Sequence, residues 1–174
     1  MTRAELKKAI RDEVMRTIPA YAQDRVVWDR QKAPARPVSS VELRITGPVQ
    51  VGAADGEIVT EFDPAAPPGE EIVRGTAVDH EFTLHVQTRA TTHDEAWEAA
   101  HAIDVGMFFP SAIERLAALG IAIVDSTPVL DVAAMVETGW QGRAAFTIRL
   151  RIGMLEVDPV RTTFIESAPV AGST

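Results

Sequence analysis

The stretch Val78-Asp79-His80-Glu81-Phe82-Thr83-Leu84-His85-Val86-Gln87-Thr88-Arg89 decides the fold class. Val78, His80, Phe82, Leu84 and Val86 fall on one parity. Asp79, Glu81, Thr83, His85, Gln87 and Arg89 fall on the other. Successive side chains of a strand point to opposite faces, so this alternation predicts a long strand over 72–90 with one covered face. Two more segments repeat the pattern. Val41, Leu43 and Ile45 alternate with Glu42, Arg44 and Thr46, and Ala144, Phe146, Ile148, Leu150 and Ile152 alternate with Arg143, Thr147, Arg149 and Arg151. Half-buried strands of this kind build antiparallel sheets.

Outward from the strands, the helices announce themselves by their caps. Thr2 with Glu5, and Thr92 with Glu95, have the capping-box form. After the first, Leu6, Ile10, Val14 and Ile18 recur every four residues and make one apolar stripe, closed by Pro19. After the second, Ala96, Ala99, Ala100 and Ile103 lead toward Phe108-Phe109. Pro110 opens a short helix with Ile113, Leu116, Ala117 and Leu119 expected inward and Gly120 as its stop. Arg25-Val26-Val27-Trp28-Asp29 reads as a short strand, and Gln31 to Pro37 as an extended connector, because its prolines remove donors. Residues 121–136 read as two short apolar runs split by Ser126-Thr127-Pro128, residues 163–168 as a last strand, and 169–174 as a flexible tail. The fold expected is α+β: a mostly antiparallel sheet with helices packed on one face, in a single domain over 1–168.

The 174 residues carry a net charge of −8, unevenly spread. Residues 1–36 hold nine Lys/Arg against five Asp/Glu, and residues 37–110 hold three against thirteen. That middle segment includes a long loop over 47–71 with six acidic residues, among them Glu57, Glu61, Asp63, Glu70 and Glu71, and with a short edge strand expected around Ile58-Val59 and Phe62. A nucleic-acid reader shows the opposite balance. There is no cysteine, which removes disulfides, thiolate metal sites and cysteine nucleophiles together. No apolar run reaches the length needed to cross a bilayer, and the charged N-terminus lacks the form of a signal peptide, so a soluble chain made in the cytoplasm is expected.

Little in the sequence carries chemistry. His80 and His85 sit on opposite faces of one strand, and His93 and His101 are two helical turns apart, so no pair shares a metal. No serine sits in a nucleophile elbow, and no phosphate-binding glycine motif occurs. The paired carboxylates Glu70/Glu71 and Asp94/Glu95 suit a charged loop and a helix start. No catalytic residue, metal or cofactor is expected. Arg143, Arg149 and Arg151 crowd one face of one strand. They need partners, either Asp79 and Glu81 on a neighbouring strand or acidic groups of another subunit. Trp28 and Trp140 lie near element ends, where either core packing or a subunit interface would use them.

The ordered set of features resembles the phage neck or tail terminator proteins of long-tailed phages and related prophage particles. It runs from the N-terminal helix to Val27-Trp28-Asp29-Arg30-Gln31 and Ala35-Arg36-Pro37, then Val41-Glu42-Leu43-Arg44-Ile45. After the acidic loop come Phe82-Thr83-Leu84-His85-Val86-Gln87, Leu119-Gly120-Ile121-Ala122 and Arg143-Ala144-Ala145-Phe146-Thr147-Ile148. The likeness covers roughly residues 1–168. It implies a structural virion protein and not an enzyme, found in the tail or neck and assembled in the host cytoplasm. It implies a ring, typically a hexamer, at the head-proximal end of the tail tube, which ends tube polymerisation and joins the tail to the head connector. Its partners would be its own copies, the tail tube protein, the connector or stopper and, in sheathed tails, the sheath, with DNA passing through the lumen without specific binding and no membrane contact. Arg143, Arg149, Arg151, Trp28 and Trp140 are then candidate interface residues. The acidic loop is a candidate to face the lumen or a neighbouring ring. Two alternatives remain: another connector, stopper or tail completion protein, or a small α+β enzyme or ligand-binding domain built on His80 or His85.

Overall fold

Long strands are best placed inside a sheet, where neighbours take up their edges, and β4 (Ile72–Ala90) and β8 (Gly139–Val157) both have strands on either side in the sheet order. The computed structural model describes residues 2–19, 25–29, 39–51, 57–62, 72–132, 134–136 and 139–157. Two compact units emerge, Met1–Val49 with His80–Ile152, and Gln50–Asp79 with Gly153–Thr174.

In the first unit, β1 (Val26–Trp28), β2 (Ser40–Val51), β4, β8 and β5 (Ile121–Ser126) are hydrogen-bonded in that order. β1 runs parallel to β2, with Val26 opposite Val41 and Trp28 opposite Leu43. β5, β6 (Leu130–Asp131) and β7 (Ala134–Val136) each pair antiparallel with β8, so the sheet is mixed but mostly antiparallel. A bulge between Ile123 and Asp125 shifts the β5 register and sets Asp125 opposite Arg149. In the second unit, β3 (Glu57–Phe62) pairs antiparallel with the first part of β4, Glu57 opposite Ala77 and Phe62 opposite Ile72. The edge strand expected in the acidic loop is therefore present.

The alternation reads out as burial. Phe82, Leu84, Val86, Ala144, Phe146, Ile148, Leu150 and Ile152 are buried, and so are Val41, Leu43 and Ile45. Helix α1 (Arg3–Thr17) lays Leu6, Ile10 and Val14 into this core, and α2 (His93–Met107) adds Ala96, Ala99, Ala100, Ile103 and Met107. Each fully buried aliphatic side chain stabilises by about 1.5–3 kcal/mol. Both capping boxes form: Thr2 and Thr92 accept from the amides of Glu5 and Glu95, whose carboxylates accept from the threonine amides in return. Thr88, on the covered face of β4, donates to the Ala96 carbonyl of α2, which fixes that helix over the sheet. Gly142 of β8 lies beneath Thr92, so close that a Cβ would overlap the Thr92 carbonyl.

Helix α3 (Pro110–Ala117) corrects one expectation. Ala112 and Leu116 are its buried residues, whereas Ile113, Ala117 and Leu119 face out, Leu119 at 51% exposure. An eight-residue helix buries one line of side chains four apart. Ile113 lies a hundred degrees round from that line, and Leu119 falls in the turn after the helix. Gly120 does end the segment, with φ +73°. The connector over 31–37, the strand expected over 163–168 and the tail lie outside the described residues. No described helix is long and apolar enough to cross a membrane.

Candidate functional site

The uncovered face of the sheet carries the arginine row. Arg149 is bound by its own chain: its Nε donates to Asp125 Oδ1 at 2.7 Å, its Nη2 to Asp125 Oδ2, and its Nη1 lies 3.5 Å from Glu81. The Asp125 carboxyl is held below its usual range by that guanidinium, and Arg149 is raised in turn. Of the two partners anticipated, Glu81 is therefore found, and Asp125 joins it because of the β5 bulge. Arg143 directs Nε and Nη2 to the neutral Gln141 amide oxygen at 3.1 and 3.0 Å, which leaves its charge in place. Arg151 is half-buried, its Nε without a hydrogen-bond partner among the described residues.

Beside the row runs a groove of about 590 Å³, with Glu42, Arg44, His85, Thr127, Leu130 and Thr147 among its lining. His85 Nε2 lies 3.2 Å from the Thr46 hydroxyl. Burial lowers its pKa, and the Arg44 charge lowers it further, so the ring favours the neutral form. Glu42 is taken by Arg89 at 2.8 Å, and the Thr127 and Thr147 hydroxyls meet each other at 3.3 Å. The groove thus offers a neutral imidazole, a cation and hydroxyls, a set suited to polar contact with a partner's surface.

The other singled-out residues disperse. His80 is half-buried on the covered-face parity of β4. His93 pairs with Asp131, and His101 stacks on Trp97 with ring centroids 4.9 Å apart. Among the described residues no three His, Asp or Glu side chains converge as a metal cluster. Trp28 is buried, with Lys7 Nζ 5.1 Å from its ring centroid. Trp140 lies in β8 opposite Met135. Glu57 and Glu61 fall within β3, while Asp63, Glu70 and Glu71 lie outside the described residues.

Two features went unmarked in the sequence. Glu13 of α1 is a buried carboxylate, 2% exposed, gripped by Arg115 of α3 and by Arg16. It occupies the position three after Ile10, on the apolar stripe itself, and a charge there was the available signal. The second is an apolar surface around the end of α2 and α3, where Val105, Phe108, Phe109, Ile113 and Leu119 are all exposed, Phe109 at 55%. Clusters of large exposed apolar side chains mark contact surfaces more often than catalytic ones.

No curated protein matches this chain. A chain of the virion of a native gene transfer agent particle is similar at 18% identity, with 85% of this chain and 97% of that one covered and a TM-score of 0.36. The model of one family, described as phage neck terminator protein, matches residues 4–173. With nearly the whole length matched, this chain belongs to the phage neck terminator protein family.

Proposed function

We propose that the chain forms a ring, of six copies, at the head-proximal end of a phage tail tube. The ring ends tube polymerisation there and joins the tail to the head connector while DNA passes through its lumen. It carries out no reaction in this role and needs no cofactor. Its partners are its own copies, the tube protein, the connector and, where a tail has one, the sheath, and it resides in the virion after assembly in the host cytoplasm. The match to the neck terminator family over residues 4–173 carries this reading.

Charge and surface support it. A lumen that passes DNA must not hold it, because each phosphate neutralised by Lys or Arg releases counterions and adds affinity. The acidic segment with Glu57, Glu61, Asp63, Glu70 and Glu71 suits such a lining, or a neighbouring ring. In the row of Arg143, Arg149 and Arg151, Arg143 keeps its charge for a neighbour's carboxylate, with Trp140 on the same strand. Exposed Phe109, Ile113 and Leu119 gain cover only in an assembly.

Electron microscopy of particles made without this gene tests the role. Heads separated from tails of uneven or excessive length are expected. Normal infectious particles would overturn it, and heads that merely leak DNA would assign a stopper instead. Two variants refine the surfaces. Glu57, Glu61 and Asp63 changed together to Lys should impair DNA delivery, and Arg149→Glu should impair joining; intact function in either case removes that surface from the assignment.

A further inference from the structure

The net charge of −8 is not shared between the two units. Gln50–Asp79 with Gly153–Thr174 holds ten Asp and Glu against two basic residues, Arg74 and Arg161, which leaves fifteen acidic and fifteen basic residues in the first unit. The first unit is therefore neutral, and the second carries the whole negative excess. Like charges gathered in one unit repel one another, and a cationic surface set against them relieves that repulsion.

Such a surface lies on the uncovered face of the first unit's sheet. Arg44 of β2, Arg89 of β4 and Arg143, Arg149 and Arg151 of β8 share it. Arg89 is taken up by Glu42, and Arg149 by Asp125 and Glu81. Among the described residues no ion pair forms at Arg44, Arg143 or Arg151. Arg44 is exposed, and Arg143 reaches only the neutral amide of Gln141. Leu130, 60% exposed, and Ala145 line the same groove as Arg44. This surface therefore calls for a partner with both carboxylates and apolar side chains. The strand β3 of the second unit has that composition, Glu57-Ile58-Val59-Thr60-Glu61-Phe62.

Charge also decides how two copies can meet. Two sheet faces brought together would set Arg44, Arg143 and Arg151 against their own images. Two second units brought together would set −8 against −8. A heterologous contact, sheet face against second unit, pairs opposite charges at every step and uses both surfaces in a closed ring.

We infer that the arginine face of one copy receives the acidic second unit of the next, with β3 and its Glu57 and Glu61 at the contact. This rests on the ring reading above and specifies which surfaces close the ring. A second copy fits better than nucleic acid, because a chain of net charge −8 repels a phosphate backbone.

Two double variants reverse the charge on one side at a time: Arg44→Glu with Arg143→Glu, and Glu57→Lys with Glu61→Lys. Each alone should lower the yield of joined particles about tenfold or more. The neutral pair Arg44→Gln with Arg143→Gln should lower it less, and keeps the test readable where a reversal unfolds the chain. Co-expression of the two reversed chains should restore joining, because each reversed face then meets a reversed second unit. Differently tagged, the two chains should be present in equal amounts, since only strict alternation satisfies every contact. All four changes in one chain restoring joining where the mixture does not would put the contact inside a single copy and overturn the inference. Reversed chains that no combination rescues would assign the surfaces to another protein and overturn it too. So would an Arg44→Glu, Arg143→Glu chain that joins normally but loses a DNA gel shift seen with wild type. Failed rescue in particles that still need this chain for joining would overturn this contact only; particles that join without the chain would overturn the ring reading itself.

Discussion

Glu13 of α1 and Arg115 of α3 stand 102 positions apart and are joined by two hydrogen bonds, Arg115 Nη2 to Oε1 at 2.6 Å and Nε to Oε2 at 3.0 Å. The paired geometry ties the first helix to the third, since a guanidinium and a carboxylate match edge to edge. Arg16, one turn along α1, donates to the same carboxylate at 3.0 Å. Glu13→Gln keeps the shape and removes the charge, so it should destabilise the fold by about 1–3 kcal/mol. The urea midpoint should fall with the slope of the transition unchanged.

The same pair makes stability depend on acid. The Arg115 hydrogen bonds hold the Glu13 carboxyl below its ordinary value of 4.5, against the opposing effect of burial, and Arg16 helps. A carboxylate with a lowered folded pKa contributes stability that is whole above 4.5 and drains away as pH falls through the folded value. The gap in urea midpoint between wild type and Glu13→Gln should therefore narrow as the pH drops below 4.5. A constant gap would refute the linkage.

His85 is a base, and its lowered pKa likewise costs stability in acid. Burial, then the Arg44 charge, lowers its pKa below the ordinary 6.5. The unfolded chain takes up a proton near 6.5 that the folded chain resists. Stability should fall as the pH drops through that value and level off once the folded ring is protonated. His85→Gln should remove this step, as melting in buffers on either side of pH 6.5 will show.

Gly142→Ala should cost about 1–3 kcal/mol, because the added methyl meets backbone and not a side chain that can turn aside. The Thr92 carbonyl and the His93 amide would have to retreat, and the start of α2 with them. A melting temperature equal to wild type would show that the helix and strand are further apart than described.

Thr92→Ala removes the cap of α2 and should lower stability by about 0.5–2 kcal/mol, while Thr92→Ser should keep most of it. Circular dichroism and thermal melting of the two variants side by side will separate the lost hydroxyl from any change in packing.

The signals that were legible in the sequence are those with short range. The period of two in 78–89 and 143–152 and the Thr-x-x-Glu caps each involve a few neighbouring residues, and the structure follows them closely. β8 runs longer than its alternating part, back to Gly139 and on to Val157, because β7 supplies a ladder for its start. Partners across the chain were beyond reach. That Arg149 meets Asp125 depends on a bulge, and a one-residue slip would have turned Asp125 to the other face. Glu13 passed unmarked although it is a charge on an apolar stripe, and nothing local points to Arg115. The outward turn of Ile113 and Leu119 follows from how short α3 is against the sheet.

Both margins of the main sheet are poor templates for adding another strand. β1 offers three residues, and the Arg11 guanidinium occupies the Val26 carbonyl. β5 is broken by its bulge at Ile123 and Asp125. Short, capped and irregular edges resist the open-ended strand addition that leads to fibrils. Strand addition at either margin is thus disfavoured, which leaves side-chain surfaces as the route of contact with other chains.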